Sequence, residues 1–151
     1  MTEKKNARDT INDVLVHLFN EIMKLEERAI ITEEFSDITN NDMHVLEAVG
    51  TKGNNMTTIA NKLNITVGSL TTAMNALVKK HYVERNRSEK DRRIVNITLT
   101  QKGLAAYRHH AQFHDQMTEA VMKKLSEEQM QVLAGALDDL SEFFRSYGEK
   151  E

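Results

Sequence analysis

The spacing of apolar residues changes along the chain, and each change marks an element. Between residues 8 and 30, Ile11, Val14, Leu18, Ile22, Leu25 and Ala29 recur at three- and four-residue steps, with Leu15 and Phe19 widening the stripe. This predicts a long amphipathic helix. Glu33 to Asp37 reads as a connection, and Thr39-Asn40-Asn41-Asp42 as a capping box opening a short helix through Met43, Leu46 and Val49 to Gly50. Gly50, Gly53, Asn54 and Asn55 break the chain again. Met56 to Leu63 has helical spacing, with Ile59, Ala60 and Leu63 facing inward. After the turn Asn64-Ile65-Thr66, with Thr66 as N-cap, a further helix carries Leu70, Met74, Leu77 and Val78 on one face.

After Tyr82 the period falls to two. Val83 and Arg85 alternate with Glu84 and Asn86, and Val95, Ile97 and Leu99 with Asn96 and Thr98, so both runs read as strands. Leu104, Tyr107, Ala111, His114, Thr118, Val121 and Leu125 then return to helical steps. Ser126-Glu127-Glu128-Gln129 is a second capping box, and Met130, Leu133, Leu137, Leu140, Phe144 and Tyr147 keep a heptad rhythm to the end. The pattern is mostly α with one small β-hairpin. A tight helix pair followed by a hairpin is the outline of a winged helix-turn-helix, whose second helix lies in the DNA major groove.

Charge sharpens that outline. From Lys79 to Arg93 seven residues are basic and three acidic, a net of +4; the whole chain carries −3, leaving −7 elsewhere. A basic face on an acidic chain is the electrostatic footprint of phosphate binding. At 151 residues the chain has the length of one domain. It contains no cysteine and no apolar run of the ~20 residues needed to span a bilayer. No signal-peptide segment follows the polar start, so the cytoplasm is the expected compartment, without membrane association.

Lys79-Lys80-His81-Tyr82-Val83-Glu84-Arg85, Ser88-Glu89-Lys90-Asp91-Arg92-Arg93 and Ile97-Thr98-Leu99-Thr100-Gln101-Lys102-Gly103 closely resemble the wing signature of the MarR family of bacterial transcriptional regulators. The resemblance covers nearly the whole chain. It implies a MarR-like architecture over residues 1–151, with a winged lobe at 39–99 and dimerisation helices at 8–30 and 104–147. Those helices carry more apolar stripe than one small lobe covers, which also points to a homodimer. Its two recognition helices would read a pseudo-palindromic double-stranded operator with half-sites about 34 Å apart.

Candidate DNA contacts are Ser69, Thr71, Thr72 and Asn75 on the polar face of the recognition helix, with Lys79, Arg87 and Ser88 beside them. Asn75 has the groups for bidentate adenine readout. At the wing tip, Asp91 is expected to orient Arg93 through a charge-assisted pair, with Arg92 or Arg93 entering a minor groove.

Ser36-Asp37-Ile38, Asp42-Met43-His44, Val67 to Thr72, and His110 through Phe113-His114 to Met117 resemble the branch of this family that represses type II fatty-acid synthesis. The resemblance implies no required cofactor and a long-chain acyl-acyl carrier protein as corepressor. Its acyl chain would lie in a pocket lined by Phe19, Ile22, Met23, Met43, Phe113 and Met117, with His44, His110 and His114 hydrogen-bonding around it. The alternative is zinc. His110 and His114 share a helix face at i and i+4, and His44 with Glu21 or Glu26 completes a tetrahedron resembling the family's zinc-responsive branch. Catalysis is not expected, because the chain lacks a Gly-rich phosphate loop, a nucleophile triad and a carboxylate pair in a likely cleft.

Overall fold

The computed structural model describes residues 6–148. Two compact units follow one another in the chain, one ending at Phe113 and the other beginning at His114.

The first unit opens with α1 (Ala7–Asp13), capped by the Asn6 carboxamide, which accepts the Asp9 N–H. A π-helical turn over Val14–Leu18 leads into α2 (Phe19–Ile30). The stripe is thus as expected, but the helix is not one uniform coil. The apolar triplet Val14-Leu15-Val16 lacks the polar punctuation that would reveal the wider turn. Next come α3 (Asn40–Val49), β1 (Asn54–Asn55), α4 (Met56–Leu63), α5 (Val67–Lys79), β2 (Val83–Arg87) and β3 (Val95–Leu99). The capping box of α3 forms in both directions: the Asp42 N–H donates to the Thr39 hydroxyl and the Thr39 N–H to the Asp42 carboxylate, each at 3.1 Å.

The three strands form an antiparallel sheet in the order β1-β3-β2, in which Arg85 pairs with Ile97 and Arg87 with Val95. The two-residue β1, which periodicity does not reveal, pairs Asn54 with Ile97 and Asn55 with Asn96. Gly53 before it has φ +77°, and a Cβ there would stand 2.7 Å from the Ile97 carbonyl oxygen. Only glycine suits that turn. The core of this unit is continuous: Leu46, Ile59, Leu70, Met74, Leu77, Tyr82 and Ile97 are fully buried, as is Met43 to within 2%.

Helix α6 (Gln101–Met122) starts against this core. The Thr100 hydroxyl accepts the Gly103 N–H at 3.1 Å and donates to the His81 carbonyl at 2.6 Å, while the Thr100 N–H donates to the Tyr82 carbonyl at 3.0 Å. A Cβ on Gly103 would fall 2.0 Å from that carbonyl oxygen. The Leu-Thr-x-x-Gly segment is therefore a docking joint between α6 and the start of β2.

The second unit holds the remainder of α6 and α7 (Glu127–Gly148). The Ser126 capping box forms, with Gln129 N–H donating to the Ser126 hydroxyl and Ser126 N–H to the Gln129 side-chain oxygen. No residue of α7 is buried; Val132 is 73% exposed, and Leu137, Phe143 and Phe144 also face out.

Candidate nucleic-acid interface

The candidate interface begins with how α5 is held. Thr66 caps it, accepting the Ser69 N–H at 3.1 Å and donating its own proton to the Ser69 hydroxyl oxygen at 3.0 Å. The Thr71 hydroxyl back-bonds to the Val67 carbonyl at 2.8 Å. With Leu70, Met74 and Leu77 buried, the same helix leaves Ser69, Thr72, Asn75 and Lys79 exposed and Thr71 half-buried. The residues expected to meet DNA from this helix therefore share its outer side. Its C-terminus is closed by His81, a non-glycine residue at φ +67°.

The wing tip is a self-bonded turn. Ser88 donates its N–H to the Ile94 carbonyl at 2.9 Å, and its hydroxyl accepts the Asp91 N–H at 3.4 Å. Arg93 grips both carboxylate oxygens of Asp91, at 3.1 and 3.0 Å, and donates its backbone N–H as well. This pair holds the Asp91 carboxyl below the usual carboxylate range and raises the Arg93 guanidinium above its own. The charge-assisted pair expected at the tip is present. Arg92 stands exposed beside it and Ser88 is half-buried inside the turn.

Between wing and helices lies an open cleft of about 540 Å³. Arg85, Arg87 and Arg93 reach it from the hairpin, Thr57 and Thr58 from the first turn of α4, and Thr71 from α5. The Asn55 carboxamide caps α4 by accepting the Thr58 N–H at 2.8 Å. Three arginines lining a cleft beside the first turn of α4 make a basic concavity suited to a backbone phosphate. Arg85, Thr57 and Thr58 are not distinguished by sequence reasoning. The available signal is the period of two, which sets Arg85 and Arg87 on the face of β2 that begins with buried Val83. Arg85 also donates from Nη2 to the Asn75 side-chain oxygen at 2.8 Å, tying β2 to α5.

The expected effector residues differ in burial. Met43 belongs to the core, Ile22 is half-buried, and Met23 and Phe19 are exposed, Phe19 by 71%. Phe113, His114 and Met117 are half-buried positions on α6, the last two in the second unit. His110 is fully buried with its Nε2 between two carboxylates, 2.8 Å from Glu47 Oε1 and 3.2 Å from Glu26 Oε1. His44 approaches the other oxygen of Glu47, Nδ1 to Oε2, at 3.5 Å. Of the two first-helix carboxylates proposed as ligands, Glu26 is buried with His110 and Glu21 is exposed. Imidazole and carboxylate donors of this kind suit zinc. They equally satisfy one another as a hydrogen-bonded cluster joining α2, α3 and α6.

Residues 28–109 match the transcriptional regulator SarA/Rot family. The chain is 34% identical to Streptococcus pneumoniae FabT, solved in complex with DNA, with a TM-score of 0.86 over 93% of this chain and 99% of that one. Staphylococcus aureus MepR, also solved bound to DNA, is 25% identical, with a TM-score of 0.68 over 86% of this chain and 96% of the other. The Lactococcus lactis transcriptional regulator ZitR is 25% identical over 111 residues, covering 72% of this chain and 77% of its own.

Proposed function

The chain belongs to the MarR-type transcriptional regulators, matching their SarA/Rot family over residues 28–109, and we propose that it acts as a cytoplasmic homodimeric repressor on a pseudo-palindromic operator. Its relatives are regulators, not enzymes. The observation that carries the reading is the arginine-lined cleft opening beside the polar face of α5, which supplies phosphate anchoring and base-edge contacts from one lobe. Dimerisation is supported by the exposed apolar stripes of α1, α2 and α7, which one chain leaves uncovered. A dimer spaces two copies of α5 for successive turns of the groove.

The regulated genes we assign are those of fatty-acid synthesis, with a long-chain acyl-acyl carrier protein as corepressor. Support comes from the likeness to FabT along nearly the full length. Zinc is the second reading, favoured by the buried His110–Glu26 contact and the nearby His44. In that case Glu26, His44 and His110 would be ligands of the ion.

Binding of promoter DNA is measured in chelator, then with acyl-acyl carrier protein, and in parallel with zinc. Tightening by the acylated carrier alone supports the lipid reading, a response to zinc alone transfers the histidines to a metal site, and silence from both overturns both effectors. A face making six or more phosphate contacts loses about a thousandfold in affinity between roughly 50 and 200 mM salt. Replacing Arg92 and Arg93 by alanine should abolish tight binding with the dimer intact. Retention of wild-type affinity by that double variant would remove the wing from the interface.

A further inference from the structure

The contact between Arg85 and Asn75 has a consequence for which base the protein reads. A guanidinium only donates hydrogen bonds, so the Asn75 amide atom 2.8 Å from Arg85 Nη2 is the oxygen. The amino group is left as the free end of an exposed side chain, carrying two donors and no acceptor. Bidentate recognition of adenine needs both ends of the amide, the oxygen accepting from N6 while the nitrogen donates to N7. Here that oxygen already faces a cation. Guanine asks for something different: its major-groove edge offers O6 and N7, both acceptors.

The same polarity recurs on this helix. The Ser69 hydroxyl oxygen accepts the Thr66 proton at 3.0 Å, and its own proton takes no part in that bond. Ser69 and Asn75 flank Thr72 on the outer side of α5, and the oxygen of each accepts one hydrogen bond from a neighbour, so a base would have to share it.

We propose that Arg85 is a positioning residue for base recognition, locking the Asn75 amide with its donors outward so that α5 selects guanine over adenine at the base pair Asn75 faces. This rests on α5 being the reading helix. The hairpin strand then does more than carry the wing to the minor groove. It sets the hydrogen-bonding sense of a side chain in the major groove, from a position that need not touch a base.

The test uses the full-length protein and a pool of randomised duplexes, selected by binding and sequenced, with wild type, Asn75→Ala and Arg85→Ala compared. Wild type should prefer guanine to adenine about tenfold at one position in each half-site, the discrimination one good contact provides. Asn75→Ala should erase that preference alone. Arg85→Ala frees the amide to turn, so the guanine-to-adenine ratio at the same position should fall to within about twofold of unity. Any uniform loss of affinity from the missing charge moves every position together and is separable from this. A guanine preference surviving in Arg85→Ala, or an adenine preference in wild type, overturns the positioning role while leaving α5 as the reading helix. If Asn75→Ala, Ser69→Ala and Thr72→Ala all leave every position unchanged, the assignment of α5 itself fails.

Discussion

Helices α5 and α7 are both amphipathic, yet their apolar stripes meet opposite fates. Leu70, Met74 and Leu77 of α5 are wholly buried by the chain that carries them, whereas α7 buries nothing and leaves Leu137 52% exposed and Phe144 54% exposed. A heptad stripe of that kind supports the dimer proposed above. The contrast teaches how stability and assembly divide in this molecule. The winged lobe closes its own core, and the terminal helix holds apolar surface in reserve.

Breaking the self-sufficient side gives the largest effect. Gly103→Ala puts a Cβ 2.0 Å from the Tyr82 carbonyl oxygen, a backbone atom that no rotamer change can move away. The start of α6 must move and release the Thr100 bonds to His81 and Tyr82. The expected loss is about 3 kcal/mol, read as a lowered denaturation midpoint. A variant with wild-type stability would show that the joint is slack.

The opposite side is broken by Leu137→Glu with Phe144→Glu. Both side chains are already exposed in the single chain, so the lobe should keep its own fold. Sedimentation should change from dimer to monomer, and affinity for a two-half-site operator should fall at least a hundredfold as the second binding event ceases to be intramolecular. A double variant that still sediments as a dimer would place the interface elsewhere.

These regions also differ in how far the sequence discloses them. Each capping box was legible, at Thr39 and at Ser126, because three-residue spacing of a hydroxyl and a side-chain acceptor is local information. So was the Asp91–Arg93 pair, two residues apart at a turn. The strand β1 was not. Asn54 and Asn55 have little intrinsic strand preference, and they pair only because Gly53 turns them against β3. The role of Arg85 is hidden for the same reason, since its partner Asn75 lies on another element and only the docking of β2 on α5 brings them together. Glu26 and Glu21 look alike along the first helix; packing of α3 and α6 decides that Glu26 is the buried one.

A smaller effect concerns the charges under the joint. Tyr82 donates its phenol proton to Asp37 at 2.6 Å, and Lys102 lies 3.5 Å from the same carboxylate with its ammonium over the Tyr82 ring. The Tyr82 hydrogen bond first, and Lys102 second, hold the Asp37 carboxyl below its ordinary 3.8. The resulting stability is complete above that value and lost as pH falls through the lower folded one. Burial, then the Asp37 bond, pushes Tyr82 above its ordinary 10.0, a contribution complete below pH 10 and lost as pH rises past it. Asp37→Asn should therefore flatten the acid limb of a stability-pH profile, leaving DNA affinity at neutral pH unchanged. An unaltered acid limb would make the pair energetically silent.

The smallest effect separates the two regions most cleanly. His81 ends α5 in the left-handed region at φ +67°, with its N–H on the Val78 carbonyl and the Tyr82 N–H reaching back to Leu77, both at 3.0 Å. That geometry closes a helix and favours glycine. The His81 carbonyl is fixed by the Thr100 hydroxyl, so the backbone has no cheaper conformation to adopt. Removing the Cβ should relieve about 1 kcal/mol of strain, partly offset by the greater freedom of glycine in the unfolded chain. His81→Gly should thus raise the denaturation midpoint modestly, whereas His81→Ala, which keeps the Cβ, should not. Because the strain sits within the lobe, the gain should persist in the Leu137→Glu, Phe144→Glu background. Its disappearance there would mean that the lobe takes its stability from the dimer, and the division between self-contained core and reserved surface would no longer hold.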